Sequence, residues 1–150
     1  MSRGSEWWDN WFLNLARYVS TASKDPSTQV GAVIVDEQRR VVSVGYNGFP
    51  RGCDDAPEIY ADRDRKYRRV VHAERNALLF ACRSVAGCTL YTTPFAPCAA
   101  CAALFVQAGI GRVVAPETPS ELAERWADEL AEAATLFREA GVVVVSVAKA

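Results

Sequence analysis

Apolar and polar positions follow two different periods along the chain, and each period predicts its own kind of element. Bulky apolar side chains return every three or four positions between 6 and 20, which predicts an amphipathic helix. The stretches 29–35 and 41–47 are rich in β-branched residues and flank a polar turn, so they predict a β-hairpin. The segment 53–69 is polar and strongly charged. It predicts a solvated helix or loop, and contacts to an anionic substrate or effector are the alternative.

Helices and strands alternate in the second half of the chain. The predicted order is helix 72–83, strand 88–92, helix 98–108, strand 112–115, a longer helix and strand 142–147. The capping box Thr118-Pro119-Ser120-Glu121 predicts where the longer helix begins, and Gly141 predicts where it ends. The last strand is almost wholly apolar, which is typical of a strand covered on both faces. The alternation predicts an α/β fold in which a mixed sheet lies between helical layers.

Length, composition and charge narrow the class of protein. A chain of 150 residues predicts a single domain spanning residues 1–150. Half of the residues are apolar and 17 basic side chains stand against 18 acidic ones, which excludes a disordered chain and counts against binding of long nucleic acid. The five cysteines, with Glu6 and Asp9 where a secretory signal would be apolar, predict a cytoplasmic protein with reduced thiols. No apolar run approaches the roughly 18 residues of a membrane helix, so we expect no membrane span.

The chain has one histidine, and a carboxylate stands beside it. His72 and Glu74 lie two positions apart, and Cys98 and Cys101 lie three apart, each pair at the start of a predicted helix. Cysteines three apart in a first helical turn share a face, and the positive helix end favours their thiolates. With His72 as the third ligand, a tetrahedral zinc ion would keep one position for water, as catalytic zinc does. The sequence therefore predicts one zinc ion per chain, with Glu74 as the base that takes a proton from water.

The spacing of these residues also sets conditions on the site. Residues two apart on a regular helix do not share a face, so we expect His72 at or just before the helix start. A closed structural zinc site with Cys53 or Cys88 as the fourth ligand is one alternative, and a thiol redox pair is another. The pattern H-x-E followed by P-C-x-x-C is the signature of zinc nucleobase deaminases.

Longer stretches extend this match beyond the metal ligands. They are 23–32, 45–48, 72–77, 97–102 and 107–110, in that order. Through them the chain resembles the deoxycytidylate deaminases of the cytidine deaminase superfamily over roughly residues 20–147. The resemblance implies a three-layer α/β/α cytidine deaminase-like fold with a mixed five-stranded sheet.

The same resemblance implies a reaction and a zinc-dependent hydrolase that performs it. His72, Cys98 and Cys101 would bind zinc, and Glu74 would shuttle protons while zinc-activated water attacks C4 of a cytosine ring. The substrate would then be dCMP, and the products dUMP and ammonia.

Substrate contacts also follow from the resemblance. It assigns Asn47 as the main candidate for a hydrogen bond to the sugar or phosphate, with Ser23, Lys24 and Arg51 as further candidates, and it includes Ala73 among the substrate-contacting residues. From the residues alone, Asn47 is equally a turn former. Lys24 and Arg51 are equally surface charges without a ligand.

The chain departs from the family pattern at three points. Seven steps separate Tyr91 from Cys98 where six are usual, with Phe95-Ala96 as the added region, so a 5-substituted cytosine nucleotide is a second candidate substrate. With a single histidine we expect no second zinc site. Arg75 stands where the family more often has an apolar residue, and a salt bridge and an oligomer contact are the two interpretations.

Regulation and assembly are further implications of the resemblance. Family members are commonly homohexamers regulated by a deoxynucleoside triphosphate, so we expect a homo-oligomer and a triphosphate effector that brings Mg²⁺. One rival function is deamination of another amino-heterocycle or of adenosine in tRNA, although a tRNA enzyme needs more positive surface. The other rival is a non-catalytic binding module in which zinc holds the fold through four protein ligands.

Overall fold

The computed structural model describes residues 2–148, which form helices around one five-stranded sheet. The elements are α1 (Ser5–Ser20), β1 (Gly31–Val35), β2 (Val41–Tyr46), α2 (Pro57–Ala61), α3 (Arg63–Arg69), α4 (Ala73–Phe80), β3 (Thr89–Thr93), α5 (Ala99–Ala108), β4 (Arg112–Pro116), α6 (Ser120–Arg125), α7 (Ala127–Glu139) and β5 (Val143–Val147). Within residues 2–148, no helix has an apolar stretch of the length that is needed to span a bilayer.

The sheet is mixed, and its strands stand in the order β2-β1-β3-β4-β5. β1 pairs antiparallel with both β2 and β3, whereas the β3–β4 and β4–β5 pairs are parallel. A parallel pair needs a crossover connection, which α5 provides between β3 and β4, and α6 with α7 between β4 and β5. The predicted hairpin and the predicted mixed five-stranded sheet are both confirmed.

Helices cover both faces of the sheet. On one face α1 places Phe12 and Leu13 in a cluster with Tyr91 of β3. On the other face Ala77 of α4 and Phe105 of α5 belong to a larger cluster that also takes in residues of α7. Full burial of a large apolar side chain contributes about 1.5–3 kcal/mol, so these two clusters hold the layers together. The three-layer α/β/α prediction is confirmed.

Gly45 allows α4 to lie directly against β2. A Cβ atom at Gly45 would collide with the carbonyl oxygen of Ala73 and with the amide nitrogen of Ala77. The side-chain amide of Asn76 donates a 2.8 Å hydrogen bond to the carbonyl oxygen of Tyr46. These contacts fix the beginning of α4 beside the hairpin, which places the residues just before α4 against the sheet.

The charged segment predicted over 53–69 contains the two short helices α2 and α3. Most of its side chains are exposed, as predicted for a solvated segment. Lys66 is an exception, because its Nζ atom lies 2.9 Å from Oδ1 of Asp25 and both side chains are largely buried. Gly48 and Val71 form two backbone hydrogen bonds with each other, of 3.2 and 2.8 Å. These bonds join the two ends of the segment between β2 and α4.

The longer helix of the second half differs from its prediction. Its cap residue is Pro119, and no side chain caps it, so the predicted capping box at Thr118 is wrong. The helix starts at Ser120, one position later than the box requires, which leaves the Thr118 hydroxyl outside the cap position. Trp126 has φ −112° and ψ 22°, which interrupts the helix and divides it into α6 and α7.

The last strand, β5, lies at the edge of the sheet with much of its surface open. Val143 is 56% exposed and Val144 is 49% exposed. The prediction of a strand covered on both faces is therefore wrong for the single chain. Val145 and Val147 do pack against the cluster that α1 forms, but β5 has a neighbouring strand on one side alone, and Val143 and Val144, on opposite faces, both stay about half exposed.

Candidate active site

The helices α4 and α5 begin close to each other on one face of the sheet. His72 caps α4 and Cys98 caps α5, and both residues have extended backbone, with φ/ψ of −66°/151° and −69°/170°. Because α4 starts at Ala73, His72 precedes the first turn, as its spacing from Glu74 predicted. The helix ends at Phe80, three residues earlier than predicted. Neither side chain forms a capping hydrogen bond to the backbone of its own helix, so both remain available to another partner.

The predicted metal ligands come together in the folded chain. The Nδ1 atom of His72 lies 3.6 Å from Sγ of Cys98 and 3.3 Å from Sγ of Cys101. All three donor atoms lie within 4.8 Å of one another. Usual Zn–S and Zn–N bond lengths give a nitrogen–sulfur separation of roughly 3.5 Å around a tetrahedral ion. The donor set and its spacing therefore fit zinc.

Within the part of the chain that the structure describes, the three donors have no fourth protein ligand of the usual kinds. Among residues 2–148, the group of His, Cys, Asp and Glu side chains that could share an ion has these three members alone. Cys53 is exposed on the surface, and Cys88 is buried in the core cluster of the α4 and α5 face. The structure thus does not place either cysteine as the fourth ligand of a closed site.

Glu74 lies in the first turn of α4 and is buried beside the three donors. It is only 4% exposed, and its Oε2 atom lies 3.9 Å from Sγ of Cys101. Its Oε1 atom accepts a 3.1 Å hydrogen bond from the Thr92 hydroxyl. Burial raises the pKa of the Glu74 carboxyl above its usual value, because the charged form loses its hydration. The carboxyl group therefore keeps a proton more readily than an exposed glutamate does, which suits a group that accepts and returns protons.

The two cysteine sulfurs share their charge unequally. A hydrogen bond from the Cys101 thiol and a second contact from the His72 ring lower the pKa of the Cys98 thiol to about 3. The same hydrogen bond to Cys98, together with burial, raises the pKa of Cys101. The hydrogen bond to Cys98 also raises the pKa of His72, against the opposing effect of burial. The surroundings of Cys98 thus favour its thiolate, and thiolate is the form that binds metals.

Arg75 brings a positive charge to these sulfurs. Burial lowers the pKa of its guanidinium, but the charges and hydrogen bonds of Cys101 and Cys98 more than offset this and raise it. Its Nε atom is buried and has no hydrogen-bond partner among the described residues. Among residues 2–148, no carboxylate forms a salt bridge with Arg75, and its role as an oligomer contact stays a prediction.

Asn47 and Ser23, two predicted substrate contacts, are buried in a hydrogen-bonded loop. The Asn47 side chain accepts from the Val30 amide at 2.8 Å and donates to the Thr28 carbonyl at 2.9 Å. It also donates to Oδ2 of Asp25 at 3.3 Å. The Ser23 hydroxyl donates to the Asn47 carbonyl at 2.8 Å. Both side chains therefore shape the loop 23–30.

The other predicted substrate contacts differ in exposure. Lys24 is exposed and pairs with Asp55 at 2.6 Å. Arg51 is also exposed, and its guanidinium lies 5.3 Å from the centroid of the Phe80 ring. Ala73 is fully buried between the metal ligand and the carboxylate.

Two residues of this region were missed by the sequence analysis. Thr92 looks like an ordinary strand residue, and no local pattern marks its hydroxyl as a partner of Glu74. Lys66 was one cation in a basic run, and only its long-range pairing with Asp25 distinguishes it from its neighbours. A motif at fixed spacing could not have found either residue.

Zinc-dependent nucleobase deaminases combine a His–Cys–Cys donor set with a nearby glutamate that is not a ligand, and these features define the class of this protein. A family model described as "Cytidine and deoxycytidylate deaminase zinc-binding region" matches residues 6–117. The chain belongs to this family of cytidine and deoxycytidylate deaminases.

Curated relatives support the same membership, and a solved structure supports the fold. An uncharacterized deaminase of Aliivibrio fischeri is 44% identical over 137 residues, which cover 91% of each chain. The deoxycytidylate deaminase of Homo sapiens is 38% identical over 145 residues, covering 90% of this chain and 76% of the human one. The fold is similar to that of a cyanophage S-TIM5 dCMP deaminase crystallised with dCMP and dUMP, with a TM-score of 0.72 at 24% identity over 97% of this chain and 100% of the phage chain.

Proposed function

We propose that the protein converts dCMP and water to dUMP and ammonia. The observation that carries this proposal is the position of buried Glu74 beside the open donor set of His72, Cys98 and Cys101. Relatives named deoxycytidylate deaminase, from human and from mycobacteriophage D29, support the choice of dCMP. A 5-substituted dCMP is the second candidate, because Phe95-Ala96 lengthens the segment before Cys98.

His72, Cys98 and Cys101 hold the zinc ion in this proposal. When bound, zinc supplies a Lewis acid that makes a water molecule nucleophilic at neutral pH. The Arg75 cation offsets part of the negative charge that the two sulfurs bring. The two sulfur ligands can therefore lie in a half-buried site without leaving an excess of negative charge there.

Glu74 is the proton carrier of the proposed reaction. A bond forms between the water oxygen and C4 of the ring, and the bond from C4 to the amino nitrogen breaks. One water proton ends on ring N3 and the other leaves with ammonia, so a single carboxyl group that takes and returns protons serves both transfers. The raised pKa of the Glu74 carboxyl suits this exchange, because a carboxyl group that is protonated more easily than a free one can both accept a proton and return it.

The loop residues position the nucleotide in this proposal. Ser23 and Asn47 give the loop its shape and direct backbone groups towards the sugar and phosphate. Lys24 and Arg51 supply exposed positive charge for the phosphate. Ala73 forms the floor of the site between His72 and Glu74.

We further propose a cytoplasmic homo-oligomer, a hexamer by family resemblance, that a nucleoside triphosphate with Mg²⁺ regulates. Exposed apolar side chains on α1 and β5 support an oligomer contact, and they include Trp7, Trp11 and Val143. The exposed arginines of α3 offer charge for a triphosphate. The described cysteines are all free thiols, which supports a reducing compartment.

An ammonia-release assay tests the proposed function. The purified, zinc-loaded protein is assayed with dCMP, 5-methyl-dCMP, 5-hydroxymethyl-dCMP, CMP, deoxycytidine and a tRNA anticodon stem-loop. We expect turnover of dCMP above that of deoxycytidine, since the phosphate contributes to binding. Glu74→Gln should retain one zinc per chain and lose about 100- to 10,000-fold in kcat, while the exposed Glu139→Gln control should match the wild type.

Other results of this assay would contradict the proposal. Turnover of the tRNA stem-loop in preference to dCMP would show that the protein has the rival function, deamination of adenosine in tRNA. Zinc-loaded protein that releases no ammonia from any compound would favour the non-catalytic binding module. A Glu74→Gln protein with full activity would show that Glu74 is not the proton carrier.

A further inference from the structure

The two oxygens of the Glu74 carboxylate have different surroundings. Oε1 accepts a 3.1 Å hydrogen bond from the hydroxyl of Thr92. Oε2 lies on the side of the metal donors, 3.9 Å from Sγ of Cys101. One oxygen is thus attached to the sheet, while the other faces the place where the reaction is proposed to occur.

Thr92 is a rigid point of attachment. It is fully buried, and it lies in β3, which has β1 on one side and β4 on the other. A threonine side chain is branched at Cβ, so its χ1 angle is restricted. Because an ionised carboxylate can only accept hydrogen bonds, the Thr92 hydroxyl must be the donor in this pair.

A glutamate without this hydrogen bond would hold its carboxyl group less well. The last side-chain torsion of glutamate has a broad, nearly two-fold energy profile, so the carboxyl plane turns easily unless a partner holds one oxygen. Proton transfer requires donor and acceptor atoms within about 2.6–3.2 Å, and a displacement of 1 Å at a reacting group can cost on the order of 100-fold in rate.

We propose that Thr92 is a positioning residue: its hydrogen bond to Oε1 orients the Glu74 carboxylate so that Oε2 faces the metal donors. Thr92 acts through Glu74 and does not itself touch the substrate. This inference rests on the proposed deaminase function. No sequence motif includes Thr92, because its partner lies 18 positions earlier, on a different element.

Thr92→Val is the main test, because it replaces the hydroxyl with a methyl group of similar size. We expect kcat for dCMP to fall by about 10- to 100-fold, as for other residues that orient a reacting group, with KM changed by less than about threefold. Zinc content should stay at one ion per chain. Thr92→Ser keeps the hydroxyl and should recover kcat to within about threefold of the wild type.

Thr89→Val is the matched control, since it makes the same substitution at the start of the same strand. Thr89 lies three residues from Thr92 on the opposite face of β3, so its variant should keep the wild-type kcat. A Thr92→Val protein with unchanged kcat would overturn the proposal. So would a loss of activity that only follows a loss of zinc, because Thr92 would then support the fold alone.

Two further measurements keep the proposal testable if a variant folds poorly or the wild type is inactive. Thr92→Ser and Thr92→Ala differ only by the hydroxyl oxygen, so equal kcat values in this pair would also overturn it. If the wild type does not act on dCMP, the proposed function fails by itself. Crystal structures of the wild type and Thr92→Val then decide, since an unmoved Glu74 carboxylate contradicts the positioning role and a displaced one supports it.

Discussion

The Nδ1 atom of His72 lies 3.3 Å from the Sγ atom of Cys101, although 29 positions separate the two residues in the chain. Each residue belongs to the beginning of a different helix, and both helices pack on the same face of the sheet. The candidate metal donors thus meet because β2 and β3, which precede the two loops, finish at the same end of the sheet, where Tyr46 and Thr93 both pair with Gly31. Packing between the sheet and the two helices therefore controls the geometry of the site.

Removal of one donor should weaken zinc binding strongly. We expect Cys101→Ser to lower zinc affinity by more than about 100-fold, because loss of a partner outside the ligand set already costs 10- to 100-fold. Competition with a chelating dye measures the affinity. Cys82→Ser changes an exposed cysteine and should retain the wild-type affinity. Equal affinities of Cys101→Ser and wild type would show that Cys101 is not a ligand.

The ion pair between Asp9 and Arg112 should be a major contribution to stability. Arg112 donates two hydrogen bonds, of 2.7 and 2.6 Å, to the Asp9 carboxylate, which joins α1 to β4. We expect Arg112→Met to lower the free energy of unfolding by about 3 kcal/mol, because it leaves a buried carboxylate without its cation. Urea unfolding measures this value. Asp55→Asn breaks an exposed pair and should leave the free energy of unfolding unchanged.

Tyr91 should make the protein less stable at alkaline pH. Burial and a 2.8 Å hydrogen bond to Asp9 raise the pKa of its phenol, so the folded state keeps this proton after the unfolded state has lost it. The contribution of Tyr91 is constant below a pH of about 10 and declines by about 1.4 kcal/mol per unit above it.

Comparison with Tyr91→Phe isolates this effect. Urea unfolding between about pH 8 and pH 11 should give a difference between wild type and variant that favours the wild type less as the pH rises above about 10. Tyr18→Phe changes an exposed tyrosine and serves as the control. A constant difference between wild type and Tyr91→Phe over the whole range would contradict the raised pKa.

Lys66 should stabilise the loop 23–30, to which the Asn47 side chain bonds. Its Nζ atom pairs with Asp25, whose carboxylate also accepts a hydrogen bond from the Asn47 side chain. We expect Lys66→Met to lower the free energy of unfolding by about 3 kcal/mol, since Asp25 would remain buried and unpaired. Arg68→Met, on an exposed position of the same helix, should have little effect. Similar melting temperatures for the two variants would reject the anchoring role of Lys66.

The candidate site could be predicted from the sequence because its residues form short motifs. Two positions separate His72 from Glu74 and three separate Cys98 from Cys101, and each pair begins a helix. The same local reasoning gave wrong predictions where the structure of a segment depends on its neighbours in space. The break at Trp126 and the exposure of β5 depend on which elements cover them, and not on the residues inside each element.

The sequence by itself determined the order of most helices and strands, the candidate metal donors and the candidate carboxylate, because apolar periods and short motifs act over a few residues. Only the tertiary structure decided which side chains of distant segments pair with each other. Thr92 meets Glu74 across 18 positions, Lys66 meets Asp25 across 41, and Arg112 meets Asp9 across 103. Such pairs form when packing brings distant segments together, and no local spacing encodes them.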